Sequence, residues 1–109
     1  MATNAEQVLD ALGDSTRRAI FKRLRSGARS VGELADGMDV SRPAVSQHLK
    51  VLKEARLVTD RAEGTRRLYA VDSRGIQAAK TWLDGFWNDA LEAFKQAAER
   101  EAVRERERR

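Results

Sequence analysis

The stretch from Ser30 to Ala55 constrains this chain most, because it writes two helix starts around one helix stop in a short span. Ser30-Val31-Gly32-Glu33 has the spacing of a capping box: the serine oxygen accepts from the backbone three residues on, and the glutamate reaches back. That predicts a helix over about Ser30 to Asp36. Gly37 can take the positive φ needed just past a helix end, and Met38-Asp39-Val40 makes a tight turn. Ser41 then caps a second helix, with Pro43 in its first turn, where a missing N–H costs nothing. Helix, tight turn and helix in this order cannot bury their own apolar faces, so other elements must cover them.

The flanking sequence supplies those elements. Ala5, Val8, Leu9 and Leu12 recur at helical spacing before Gly13, and Asp14, Ser15 and Thr16 each suit an N-cap. The next helix turns Ala19, Ile20, Phe21 and Leu24 inward, leaves Arg17, Arg18, Lys22, Arg23 and Arg25 on its remaining faces, and stops at Gly27. After Ala55-Arg56 the period changes. Leu57 to Arg61 and Arg66 to Val71 are β-prone runs separated by Ala62-Glu63-Gly64-Thr65, which reads as a hairpin. Asp72 or Ser73 caps a long last helix from about Arg74.

Charge and residue inventory narrow the chemistry. The net charge is +4, and the segment from Ser41 to Arg67 alone carries seven basic residues against three acidic ones, an excess equal to that of the whole chain. Local basicity of this kind suits a polyanionic partner. There is no cysteine and a single histidine, and neither a Gly-rich phosphate loop nor an H-E-x-x-H motif occurs, which excludes the usual parts of hydrolytic, redox and phosphoryl-transfer sites. No enzyme activity and no cofactor are expected. The opening MATNAEQVLDALGD carries neither a signal-peptide pattern nor a transmembrane run, so a cytoplasmic location without a membrane partner is expected.

At about 100° per residue, Val45, Leu49, Leu52 and Ala55 fall on one side of the Pro43 helix, while Pro43, Ser46, Gln47 and Lys50 fall on the other. A helix entering the DNA major groove needs short or amide side chains that reach base edges and long cations that reach phosphates. Gln47 can pair with adenine, Arg42 with guanine or a phosphate, and Ser46 with either, whereas Lys50, Lys53 and Arg56 suit the backbone. Polar helix faces are usually mere solvent-facing surface, but here the capped helix, the tight turn, the Pro-started helix and a basic hairpin come in one ordered series. Arg61, Arg66 and Arg67 flank the hairpin turn and can cross phosphates or enter a minor groove, although such arginines also serve to block edge-to-edge aggregation. The partner expected is double-stranded DNA.

The segments LGDSTRRAIFKRL, SVGELADGMDVSRPAVSQHLKVLKEARLV and EGTRRLYAVD resemble the ArsR/SmtB-type winged-helix transcriptional repressors, from about Val8 to about Val71. The resemblance is sharpest in Val45-Ser46-Gln47-His48-Leu49-Lys50-Val51-Leu52 followed by Leu57-Val58. It implies an intracellular homodimer that binds palindromic operators, many such proteins releasing DNA when an effector binds, and it implies base reading by Ser46, Gln47 and their neighbours. The metal-sensing members place a cysteine pair before the recognition helix, or His and carboxylate ligands on the last helix. Here Gly32-Glu33-Leu34-Ala35-Asp36 holds no cysteine, and Asp84, Asp89 and Glu92 are carboxylates without a histidine, a poor donor set for zinc. No metal site is expected, and any effector is expected to be non-metal. His48 lies on the inward arc between Leu52 and Ala55 and reads as a partly buried residue rather than a ligand.

In the last helix Ile76, Ala79, Leu83, Phe86, Ala90, Phe94 and Ala97 recur by threes and fours, and Trp87 and Leu91 widen the stripe. This exceeds what a small domain can cover, so the excess reads as a homodimer interface of Ile76, Leu83, Phe86, Trp87, Ala90 and Phe94, with Trp82 as a further anchor, completed by Val8, Leu9 and Leu12. The competing assignment puts the aromatics in the protomer's own core and predicts a monomer. The fold class expected is mainly α with a β-hairpin wing: one winged helix-turn-helix domain over residues 1–109 with about five helices. Within it the helix-turn-helix spans about 30–55, the wing about 57–71, the dimerisation helix about 74–98 and a charged, solvated or frayed helical extension 99–109. The function expected is a sequence-specific transcriptional regulator, a repressor acting as a homodimer on an inverted-repeat operator. The alternative is a winged-helix module of low DNA specificity or one that binds another protein.

Overall fold

The computed structural model describes residues 3–108, in two compact units that divide between Ala79 and Lys80. The order of elements is α1 (Asn4–Leu12), α2 (Ser15–Leu24), α3 (Val31–Ala35), α4 (Arg42–Glu54), β1 (Val58–Glu63), β2 (Arg66–Val71) and α5 (Ser73–Glu107). The architecture is therefore mainly helical with an antiparallel hairpin, a winged helix-turn-helix.

Each short helix begins where a side chain can take up orphan N–H groups. Thr3 and Ser30 both head complete capping boxes, with Glu6 and Glu33 reaching back. Among the three candidates before α2, Asp14 is the cap, accepting from the N–H groups of Thr16 and Arg17. Asp72 does the same for α5, accepting from the Arg74 N–H at 3.0 Å. Gly37, with φ of 80°, takes the left-handed conformation that ends the α3 turn.

The first unit is built around the inner face of α4. Val45, Leu49 and Leu52 are 0% exposed and pack with Val8, Ile20, Leu24, Leu34, Leu57 and Val58. Removing each from water contributes about 1.5–3 kcal/mol, which is what holds the short helices α1 and α3 in place, since helices of their length are marginal alone. Val8, expected at a subunit interface, belongs instead to this protomer core at 0% exposure. One face of a nine-residue helix must close the α2–α4 core, and Val8 lies on it with Ala5 and Ala11.

Two further features go beyond the sequence-based expectation. The first strand, β1, runs on into the expected loop, so Glu63 pairs with Arg66 and only Gly64 and Thr65 turn the chain. Gly64 has φ of 62° while Thr65 does not share a positive φ, the pattern of a type II′ turn, whose twist matches that of the strands. Arg29 bridges Tyr69 through two backbone hydrogen bonds of 2.9 and 2.8 Å, an isolated one-residue bridge on the far side of β2 that ties the wing to the start of α3. As expected of a helical extension, α5 stays helical through the charged end to Glu107. The tail lacks Pro and Gly and carries an Arg104–Glu101 pair at 3.3 Å, so nothing in it stops a helix.

The end of α4 is a crowded junction. Arg56 stands at φ of 61°, and the Leu57 N–H returns to the Leu52 carbonyl (2.9 Å) while the Arg56 N–H bonds that of Lys53 (3.0 Å), a Schellman closure with arginine where glycine is usual. The Gly75 N–H donates to the Arg56 carbonyl at 2.8 Å, and a Cβ on Gly75 would sit 2.7 Å from the carbonyl oxygens of both Ala55 and Arg56. Gly75→Ala should therefore cost about 2 kcal/mol, seen as a lowered midpoint in urea. An unchanged midpoint would mean that the start of α5 does not press on this turn.

Candidate nucleic-acid interface

The outward face of α4 is a consequence of the inward one. With Val45, Leu49 and Leu52 committed to the core, Arg42, Pro43, Ser46, Gln47, Lys50 and Lys53 are all exposed. Ser41 accepts from the Ala44 N–H at 3.2 Å, so the helix begins abruptly and presents Pro43, Ser46 and Gln47 in its first two turns. Arg42 departs from that face: its guanidinium lies over Gly32, where a Cβ would meet Nη2 at 3.2 Å. Arg42 lines a groove with Ser30, Glu33, Arg66, Arg67 and Tyr69, between the starts of α3 and α4 and the hairpin. His48 is half-buried on the inward arc, as expected.

The wing cations are not free. Lys53 Nζ stands 2.8 Å from one oxygen of Asp60, and Arg67 Nη1 stands 3.0 Å from the other. Arg66 Nη1 is 3.2 Å from Glu33 Oε1, and Arg61 lies 3.5 Å from Glu63. Asp60 thus joins the last turn of α4 to β2, and Glu33 joins the start of α3 to the same strand. The hydrogen bond from Lys53, reinforced by Arg67, holds the Asp60 carboxyl below the usual carboxylate range. The backbone N–H of Ser30 does the same for Glu33, helped by its hydroxyl and by Arg66.

The remaining basic residues divide into structural and available. Arg17 donates to the carbonyl oxygens of Ala11 (2.7 Å) and Asp10 (3.3 Å), and Arg18 to that of Leu12 (2.6 Å), closing the end of α1. Arg23 bonds the carbonyls of Leu34 (2.6 Å), Asp36 (2.8 Å) and Glu33 (3.3 Å), closing α3. Helical periodicity alone places these arginines on the outer faces of α2 and gives them no partner. The signal that could have separated them is position: each lies within reach of a preceding or following helix end, where carbonyl oxygens need donors.

Among the described residues, no three His, Cys, Asp or Glu side chains gather as a metal-binding group, and no helix is long and apolar enough to cross a membrane. Of the expected interface residues, Leu9 and Ile76 are exposed in the first unit and Leu12 is half-buried. In the second unit Leu83, Phe86, Trp87, Leu91 and Phe94 are exposed, Phe86 at 67% and Phe94 at 74%, and Trp82 stacks on Phe86 with ring centroids 6.1 Å apart.

The carboxylates set an acid limit. Asp14, whose carboxyl is held low by the Arg17 and Thr16 N–H groups, and Asp72, held low by Arg74, join Asp60 and Glu33 in favouring the charged form on folding. Their stabilisation is complete above the ordinary carboxylate value near 4 and lost as pH falls through the lower folded values. The melting temperature should fall below about pH 4, and less steeply in Asp14→Asn than in the parent. Parallel curves would contradict the cap's contribution.

The comparisons agree with this geometry. A model for a helix-turn-helix domain matches residues 12–61. The chain is 55% identical over 96 residues to the HTH-type transcriptional regulator Rv2034 of Mycobacterium tuberculosis, covering 88% of this chain and 90% of that one. It is 32% identical to the transcriptional repressor SdpR of Bacillus subtilis, over 74% of this chain and 90% of that one. The solved homodimeric winged helix-turn-helix DNA-binding domain Mb0332 of Mycobacterium bovis, described as a possible ArsR-family regulator, superposes with a TM-score of 0.63 at 27% identity, covering 83% of each chain. With its outward-facing α4, basic hairpin and long last helix, the chain belongs to the ArsR/SmtB family of winged helix-turn-helix transcriptional regulators, which are DNA-binding proteins and not enzymes.

Proposed function

We propose that this regulator is a cytoplasmic repressor that occupies an inverted-repeat operator as a homodimer, reading bases with Ser46 and Gln47. One observation carries the reading: α4 is buried along Val45, Leu49 and Leu52 and exposed along Pro43, Ser46, Gln47 and Lys50. A helix so divided enters a major groove with amide and hydroxyl groups at base edges, where Gln47 pairs with adenine and Ser46 with a base or phosphate. Arg42, Lys50 and Lys53 meet the backbone beside the groove, and Arg61, Arg66 and Arg67 carry the wing across the neighbouring phosphates.

Pairing rests on the second unit. A lone helix that exposes Leu83, Phe86, Trp87, Leu91 and Phe94 needs a partner surface, and a second copy offers the same stripe about a two-fold axis. Ala90 lies on that stripe, and Leu9, Leu12 and Ile76 add apolar surface in the first unit. Residues 1–109 then act as one DNA-binding domain with its own dimerisation helix, whose charged end is a solvated extension up to Glu107, Arg109 lying outside the described residues. The naming of SdpR as a repressor supports repression by promoter occupancy, and the naming of Mb0332 as homodimeric supports the pairing. Any effector is non-metal, because the donor types present are carboxylates and a single half-buried histidine.

The roles separate by mutation. Gln47→Ala should flatten the preference between matched and mismatched duplexes by roughly tenfold, while Arg66→Ala should weaken all duplexes alike and reduce the salt slope by about one. Titrations of both variants against the two duplexes over a salt series decide it. Equal loss of base preference in both would contradict the division into reading helix and anchoring wing.

A further inference from the structure

We propose that Asp60 and Glu33 are specificity-determining residues that restrain the sequence-independent part of DNA binding, by occupying in the free protein the cations that a phosphate backbone would take. The proposal rests on the reading that α4 and the hairpin face DNA. Its geometric basis is the sharing of carboxylate oxygens. Each oxygen of Asp60 holds one cation, Lys53 from α4 at 2.8 Å and Arg67 from β2 at 3.0 Å. The Asp60 side chain is only 9% exposed while Lys53 and Arg67 remain more than half exposed, so the carboxylate is roofed by its partners and the partners face outward. Glu33 is fixed in another way. Its Oε1 accepts from the Ser30 N–H at 3.1 Å as well as from Arg66 at 3.2 Å, so the start of α3 holds it where Arg66 must pass.

Phosphate attraction counts cations that are not already neutralised, and it is indifferent to sequence. Three of the cations assigned to the backbone therefore face two carboxylates before any duplex arrives. A non-specific complex can shift along the duplex until freed cations meet phosphates. In a specific complex the base contacts fix α4, and with it the reach of Lys53. Neutralising the carboxylates strengthens non-specific binding more than specific binding, and the ratio between them falls.

The test uses Asp60→Asn, Glu33→Gln and the double variant in the full chain. Asparagine keeps the acceptor at residue 60, and glutamine at the third helical position keeps the capping box. Affinity is measured by anisotropy for a random-sequence duplex and for the tightest-bound duplex selected from a randomised pool, across a salt series, alongside thermal melts. The expected result is about fivefold tighter binding to random duplex per substitution at low salt, a steeper salt dependence by up to about one unit, and a lower specificity ratio. Unchanged or weaker binding to random duplex, in a variant that melts like the parent, overturns the proposal and leaves the carboxylates as supports for the wing. If Asp60→Asn melts early, the exposed Glu33–Arg66 pair decides alone. A parent chain that binds no duplex overturns the interface reading itself.

Discussion

The turn at Arg56 is the constraint on which the placement of α4 and the hairpin depends. The Schellman closure ends α4 and sends the chain into β1, and the same few atoms receive the rest of the first unit. The Ala55 carbonyl accepts from Asn4 Nδ2 at 2.9 Å, the Arg56 carbonyl from the Gly75 N–H at 2.8 Å, and the Leu57 carbonyl from the Asp72 N–H at 2.9 Å. So α1, α4, the hairpin and the start of α5 are all referenced to one backbone turn. Arginine at positive φ costs roughly 1–2 kcal/mol relative to glycine, and the converging hydrogen bonds are what offset it. Gly75 is glycine because two carbonyl oxygens occupy the space of a side chain.

The charge of the molecule has a division of labour that its total conceals. Arginines 17, 18 and 23 are consumed by helix ends, and Arg29 similarly bonds the Arg23 carbonyl at 3.2 Å. The cations of α4 and the wing are instead paired with carboxylates or left exposed, where a phosphate can compete for them. Binding strength in the proposed complex is then set by an exchange of ion pairs rather than by the number of basic residues, and such surface pairs are individually weak enough to be exchanged.

Much of this was legible in the sequence where local chemistry decides. The capping box at Ser30, the stop at Gly37 and the cap at Ser41 follow from hydrogen-bonding needs that operate over three or four residues, and the inner face of α4 follows from helical periodicity. What escaped depends on contacts distant in sequence. The Arg29–Tyr69 bridge joins residues with no shared pattern, and the Asp60 clamp requires knowing that β1 passes beside the last turn of α4. Val8 sits in the protomer core, which periodicity does not reveal because it identifies an apolar face without saying whether the protomer or its partner covers it. For the aromatic residues of α5 the same ambiguity ran the other way, and there the side chains stand exposed.

The central claim is that the outward face of α4 reads DNA in symmetric pairs. Selection of tightly bound duplexes from a fully randomised pool, followed by sequencing, tests it most directly. Two recognition helices related by a two-fold axis and one turn of B-DNA apart predict an enriched inverted repeat whose half-site centres lie about 10 base pairs apart. A pool that shows no enriched motif, or only a single asymmetric one, would contradict the account.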